Sequence, residues 1–235
     1  MAVTVMTKII GHRGAAGIAL ENTRESLLAA IKCGVDVVEL DTHLTADDHL
    51  VVIHDPTTQR IAPITVTVRS KTLAELQTIK LNNGQTLLSL DEALDVIGSV
   101  PVIIELKSHR SVDELLLVLA RHPDVKASVA SFLHSELRKV RSALPNIPIY
   151  VLEHFSPLEI IQSARRLHAT GFGLNKGLIN PLTYRLAKRY NLEMYVYSVN
   201  NSFMAWFMRL LYPDLDLCTD HPERLVKSRR VAKKR

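Results

Sequence analysis

Apolar runs of four to seven residues recur along the chain, separated by stretches in which apolar residues return every three or four positions. The runs lie at residues 8–11 (KIIG), 35–40 (VDVVEL), 100–106 (VPVIIEL), 127–132 (ASVASF), 147–152 (IPIYVL), 171–174 (GFGL), 193–199 (EMYVYSV) and 214–218 (DLDLC). They are rich in Val, Ile and Tyr and bounded by Gly, Pro, Asn or Asp, which predicts eight strands. Between them, Asn22 with Glu25, Ser111 with Glu114 and Ser156 with Glu159 have capping-box spacing, in which two side chains satisfy orphan amides at a helix start. Pro157 and Pro181 follow Ser156 and Asn180, the first helical position, where a missing N–H costs nothing. Eight strands alternating with helices predict a TIM (β/α)8 barrel, and no Gly-rich fingerprint opens the first helix to favour an open dinucleotide-binding sheet.

One segment breaks the alternation. After Asp41 the chain reads THLTADDHLVVIHD, and the Asp47–Asp48 turn predicts a hairpin that brings residues 51–54 back beside the second strand. Two capped helices are expected next, over residues 72–81 (Thr72 with Glu75) and 89–97 (Ser89 with Glu92). Residues 42–99 thus form a hairpin-plus-helices insertion after the second strand, where barrels carry functional loops.

Composition narrows the picture. The 235 residues are 47% hydrophobic but only 5% aromatic, which suits parallel strands covered on both faces within one domain. The formal charge is +5, yet residues 224–235 hold seven Lys or Arg and no acid. The rest of the chain is near neutral, so no nucleic-acid partner is expected. A single catalytic barrel over residues 1–226 is expected to end in a basic, disordered tail at 227–235. Cys33 and Cys218 match no metal spacing and read as reduced thiols. The stretch MAVTVMTKII is too short and too weakly patterned for a signal peptide, and no run reaches about 18 apolar residues. A cytoplasmic protein without a transmembrane segment is expected; the oligomeric state is open.

Chemistry-bearing residues gather where the strand pattern ends. The first strand runs into His12 and Arg13, the second delivers Glu39 and Asp41, the hairpin His54 and Asp55, and the next barrel strand Glu105 and Lys107. Residues two apart in a strand point to the same side, and all strands of a barrel end at one mouth. Three carboxylates facing one cavity repel each other unless a cation sits among them. A hard divalent ion with oxygen ligands, Mg²⁺ or Ca²⁺, answers that need. Arg13 and Lys107 suit a phosphate, and His12 and His54 are proton carriers that titrate near neutral pH. Such a set cleaves a phosphoester.

The series His12-Arg13-Gly14, Glu21-Asn22-Thr23, Glu39-Leu40-Asp41, His54-Asp55-Pro56 and Glu105-Leu106-Lys107 resembles the glycerophosphodiester phosphodiesterases. The resemblance continues through Ser131-Phe132, Val199-Asn200 and Thr219-Asp220-His221-Pro222, and spans residues 8–226. It implies a barrel with one divalent cation that hydrolyses glycerophosphodiesters to sn-glycerol 3-phosphate and an alcohol. It implies Glu39, Asp41 and Glu105 as metal ligands, His12 and His54 as the acid–base pair, Arg13 and Lys107 on the phosphate, and Glu21 in support; which histidine is base stays open in the sequence, with His12 favoured here. Two positions depart from the family pattern. Tyr197 stands where the family carries Trp, leaving an aromatic wall with an added hydroxyl, and Arg60 is followed by Ile61-Ala62-Pro63 instead of the family's Thr-Thr-Asn-Gly. Two other readings accompany this one. The apolar run at 203–212 (FMAWFMRLLY) is either a greasy lip for a lysophospholipase D or sphingomyelinase D-like activity, or a helix buried in the outer ring or at a dimer contact. A non-catalytic barrel that binds phosphorylated ligands, or a membrane surface through the basic tail, is the reading from another class.

Overall fold

The computed structural model of the chain describes residues 7–153 and 156–232. In chain order its strands are β1 (Ile9–Gly11), β2 (Val37–Leu44), β3 (Leu50–Val52), β4 (Val102–Leu106), β5 (Ala127–Ser131), β6 (Ile149–Glu153), β7 (Gly171–Asn175), β8 (Glu193–Tyr197) and β9 (Asp216–Thr219). All except β3 run parallel, in the order β1-β2-β4-β5-β6-β7-β8-β9, and β9 pairs back onto β1 to close a TIM barrel. β3 runs antiparallel to the outer end of β2, pairing Thr42 with Val52 and Leu44 with Leu50. The eight predicted barrel strands and the return hairpin are all present.

Strand alternation divides the core into two layers. Val38 and Leu40 of β2 and Ile104 and Leu106 of β4 face the helices, in one continuous cluster with Leu27, Leu94 and Leu115. Ile103 of β4, Ile10, Ala130, Leu152, Tyr195 and Cys218 pack inside the barrel. Glu39 and Asp41 share the inward face of β2, and register places Asp41 directly beside Glu105 of β4. Their position follows from the two-residue period of a strand, which sends alternate side chains to opposite faces.

The outer ring comprises α1 (Arg24–Cys33), α3 (Leu90–Ile97), α4 (Val112–Arg121), α5 (His134–Ala143), α6 (Pro157–Arg166), α7 (Pro181–Arg189), α8 (Ser202–Leu211) and α9 (Pro222–Ala232), with the short α2 (Leu73–Gln77) in the insertion. The insertion packs its own small core around Val51, Ile53, Val68, Leu76 and Leu87. Full capping boxes start α2 at Thr72 and α3 at Ser89, and Pro157 and Pro181 occupy the first turns of α6 and α7. No helix among the described residues is long and apolar enough to cross a membrane.

Several local expectations are corrected. α2 stops at Gln77 instead of reaching residue 81, because the chain turns through Asn82–Gly84, with Gly84 at φ 81° and the Leu81 amide donating to the Gln85 carbonyl. α1 is capped by Thr23 with Ser26, not by Asn22 with Glu25; Asn22 has left-handed backbone and its side chain is committed elsewhere. Ser111 precedes α4 but its hydroxyl donates to the Ser108 carbonyl, so it closes a turn and does not cap. α9 runs on into the basic segment as far as Ala232, where RLVKSRRVA holds no Gly or Pro to stop a helix. Residues 233–235 of that segment, and residues 1–6 of the N-terminal stretch, lie outside the described residues.

Candidate active site

β1 ends in a sharp turn. Arg13 and Gly14 have φ of 50° and 80°, and a Cβ on Gly14 would lie 2.6 Å from the Ser26 carbonyl oxygen, so this left-handed position is kept by glycine. The turn aims the Arg13 amide at Glu39 Oε2, 2.8 Å away, and the Gly14 amide at the Glu39 carbonyl, 3.1 Å away. Glu39, Asp41 and Glu105 are all buried, and each offers an oxygen within 4.8 Å of the others. Asn22 donates to Asp41 Oδ2 at 2.9 Å and accepts from the Asp41 amide at 3.3 Å, which fixes that carboxylate. Two cations press on the cluster. Lys107 Nζ lies 2.7 Å from Glu105 and 3.2 Å from Asp41, and Arg13 Nε lies 3.3 Å from Asp41.

The electrostatics are those of a crowded buried site. Burial and the neighbouring Asp41 charge push the Glu39 and Glu105 carboxyls well above the usual range. Burial also opposes ionisation of Asp41, but Lys107 and Arg13 outweigh it and hold Asp41 low. Two cations therefore support one full carboxylate and leave two strained ones. Glu105 Oε1 is buried and faces Lys107 without hydrogen-bond geometry. Three oxygen donors with unmet negative charge fit a hard divalent ion.

Two histidines flank the cluster in the same manner. His12 Nδ1 lies 2.6 Å from Asp220 Oδ1, and Asp220 Oδ2 accepts from Asn200 at 2.6 Å, while Asn200 Oδ1 takes the Asp220 amide at 2.9 Å. His54 Nδ1 lies 2.7 Å from Asp55 Oδ1, and Asp55 Oδ2 accepts from Arg60 Nε at 2.8 Å. In both rings the carboxylate occupies Nδ1, so Nε2 is the nitrogen left for the cavity. Burial alone would lower His12, but the hydrogen bond to Asp220 and the charge of Glu39 raise it. Burial, then Lys107 and Arg13, hold His54 below its ordinary value against the pull of Asp41. The cavity they share is about 400 Å³, with His12, Arg13, Glu39, His54, Glu105 and Lys107 on one side and Phe132, Leu152, Tyr195 and Tyr197 on the other. A smaller recess of about 280 Å³ adjoins it between His54, Lys107, Phe132 and Leu133.

A family profile described as the glycerophosphoryl diester phosphodiesterase family matches residues 12–224. The chain belongs to this family. It is accordingly a phosphoric diester hydrolase. The chain is 29% identical to a glycerophosphodiester phosphodiesterase of Caldanaerobacter subterraneus over 238 residues, covering 94% of this chain and 96% of that protein. Among solved structures it is similar to a glycerophosphodiester phosphodiesterase from Agrobacterium tumefaciens, with 26% identity, a TM-score of 0.80 and coverage of 94% and 100%. The barrel also matches a phosphodiesterase of Oleispira antarctica in complex with the product sn-glycerol-3-phosphate, with a TM-score of 0.89, 22% identity and coverage of 96% and 97%.

Within this phosphodiesterase, the residues singled out from sequence meet at one mouth. Glu21 stands slightly apart: it pairs with Arg13 at 3.0 Å and with Arg60 at 2.6 Å, outside the three-carboxylate cluster. Arg60, which departs in context from the family pattern, nevertheless clamps both Glu21 and Asp55. Tyr197 lines the cavity beside Tyr195, their ring centres 6.3 Å apart. The sequence pattern gives no site role to Asn22, Asn200 or Asp220, nor to Asn175, which lines the same cavity. The first three lie in quoted motifs, so a signal was present, whereas nothing in the pattern around Asn175 marked it.

Proposed function

We propose that this enzyme hydrolyses glycerophosphodiesters to sn-glycerol 3-phosphate and an alcohol, with one divalent cation and a histidine pair as acid and base. The observation that carries the reading is the convergence of Glu39, Asp41 and Glu105 within 4.8 Å, beside two imidazoles that each present Nε2 to the same cavity. Glu39, Asp41 and Glu105 would hold the ion, Mg²⁺ or Ca²⁺, which when bound supplies charge stabilisation at the phosphate oxygens. Arg13 and Lys107 would hold the phosphate, Arg as a planar fork and Lys as a point charge. Glu21 and Arg60 keep Arg13 and Asp55 in place.

Asp220 holds His12 with the proton on Nδ1, which leaves the Nε2 lone pair free to take a proton from the attacking hydroxyl. The Asp220 hydrogen bond favours His12 as the base, which leaves His54 as the acid. His54 also borders the smaller recess, where a leaving alcohol would accept its proton. The Tyr197 ring would wall the glycerol side. The free thiols Cys33 and Cys218 suit a reducing compartment, and we place the enzyme in the cytoplasm.

A panel of glycerophosphodiesters, assayed for sn-glycerol 3-phosphate release, tests this reading. His12→Ala and His54→Ala should each lower turnover about 10²–10⁴-fold; near-normal turnover in both variants defeats the acid–base assignment. Lysophosphatidylcholine hydrolysed in preference to glycerophosphocholine would replace the substrate class with a lipid phosphodiester.

A further inference from the structure

The outer face of α8 has a composition shared by no other described helix. Ala205 and Met208 turn inward and are buried, while Phe203, Met204, Trp206, Phe207, Leu210 and Leu211 are exposed. Half of the twelve large apolar side chains exposed among the described residues therefore sit on ten residues of one helix. Phe203 and Trp206 are 70% and 56% exposed, with ring centres 5.8 Å apart. The expectation of a helix buried in the outer ring is corrected here: the inner face is narrow and small, and the larger, greasier face points away from the barrel. A patch of this kind on a soluble barrel marks an interaction surface.

Its surroundings indicate the partner. α8 carries one charged residue, Arg209, and no acid. α7 lies on one side, joined through Tyr184 and Tyr212 with ring centres 5.0 Å apart; it exposes Arg185, Lys188 and Arg189 and has no acid of its own, Lys188 pairing with Asp214 at 2.5 Å. α9 lies on the other side and exposes Arg224 and Lys227, with its one acid, Glu223, pairing Arg224 at 3.4 Å. An aromatic, apolar helix face between basic flanks is complementary to an anionic lipid surface, where rings enter the headgroup boundary and cations meet phosphates. A second copy fits less well, because pairing two such faces would bring basic flanks against basic flanks. We propose that α8 is an interfacial docking helix for anionic phospholipid bilayers. The loop that leads into it, residues 198–201, carries Asn200, which holds Asp220, so the N-terminal end of the docking helix lies next to the candidate site.

Trp206 is the chain's sole tryptophan and reports directly on this face. The full chain is titrated with vesicles of phosphatidylglycerol and phosphatidylcholine, and with phosphatidylcholine alone, while Trp206 emission and co-sedimentation are followed. A blue shift and pelleting with anionic vesicles are expected, with the F203S/F207S variant weakened about tenfold or more yet unchanged in turnover of soluble glycerophosphocholine. No shift on anionic vesicles, equal binding of that variant, or equal affinity for neutral vesicles would overturn the proposal. A blue shift that grows with protein concentration in the absence of lipid would assign the face to a second copy and overturn it as well. The vesicle readout does not depend on catalysis, so failure of the proposed hydrolysis leaves this test intact.

Discussion

His12 and His54 reach the same cavity from different strands, and each has Nδ1 against an aspartate, Asp220 and Asp55. Asp220 is itself held from both sides by Asn200, so its carboxylate has little freedom to release the ring. Asp220→Asn keeps the shape but removes the charge and offers Nδ1 the wrong partner. Turnover of a glycerophosphodiester should fall by about 10² or more, with KM changed far less; steady-state kinetics on the folded variant decide it, and a loss confined to KM would remove Asp220 from the proton-handling role. The convergence of the candidate residues was legible because strand spacing alone puts Glu39 with Asp41 and Glu105 with Lys107. Asn22 was misread as a helix cap because its local pattern contains Glu25 three positions on, and nothing local reveals that Asp41 waits across the strand to take both ends of its amide. Partners of this sort are set by tertiary distance, which a one-dimensional pattern does not contain.

Elements were legible in proportion to how far local forces decide them. The capping boxes of α2 and α3 are present as read, with Ser89 accepting from the Glu92 amide and Glu92 returning to the Ser89 amide at 2.8 Å. Ser89→Ala should cost about 1 kcal/mol of stability, measured by urea unfolding with the divalent ion held constant; an unchanged midpoint would mean that packing of Leu90 and Leu94 alone sets the start of α3. α2 ends early because a turn at Asn82–Gly84 competes with its last turn, and both alternatives had local support. For α8 the periodic signal does not find the buried face: apolar residues fill every position except Ser202 and Arg209, and the larger ones point outward, so exposure of its outer side emerges only with the barrel built.

At the scale of the whole molecule, the barrel has one end for chemistry and another for stability. At the far end from the active-site mouth, Asp216 is pushed up to about 7 by burial, against the Lys8 amide that donates to it at 2.7 Å. A carboxyl raised in the fold favours folding while protonated, so its contribution is complete below about pH 4 and is lost as pH rises towards 7. Asp216→Asn keeps an oxygen for the Lys8 amide and abolishes the titration. The stability of wild type relative to this variant should drop by on the order of 1–3 kcal/mol between pH 4 and pH 8, read from urea unfolding at matched ion concentration; a relative gain over that range would contradict the burial argument. The barrel order and the site's location were legible in the sequence because eight strand–helix units leave few closures, and closure sends every strand's end to one mouth. Turnover of glycerophosphocholine by EDTA-stripped enzyme, with Mg²⁺ or Ca²⁺ then added back, tests most directly whether Glu39, Asp41 and Glu105 serve one shared cation. Activity should vanish on stripping and return with one of these ions in wild type but not in Asp41→Asn, whereas full turnover in EDTA would contradict a metal-dependent centre.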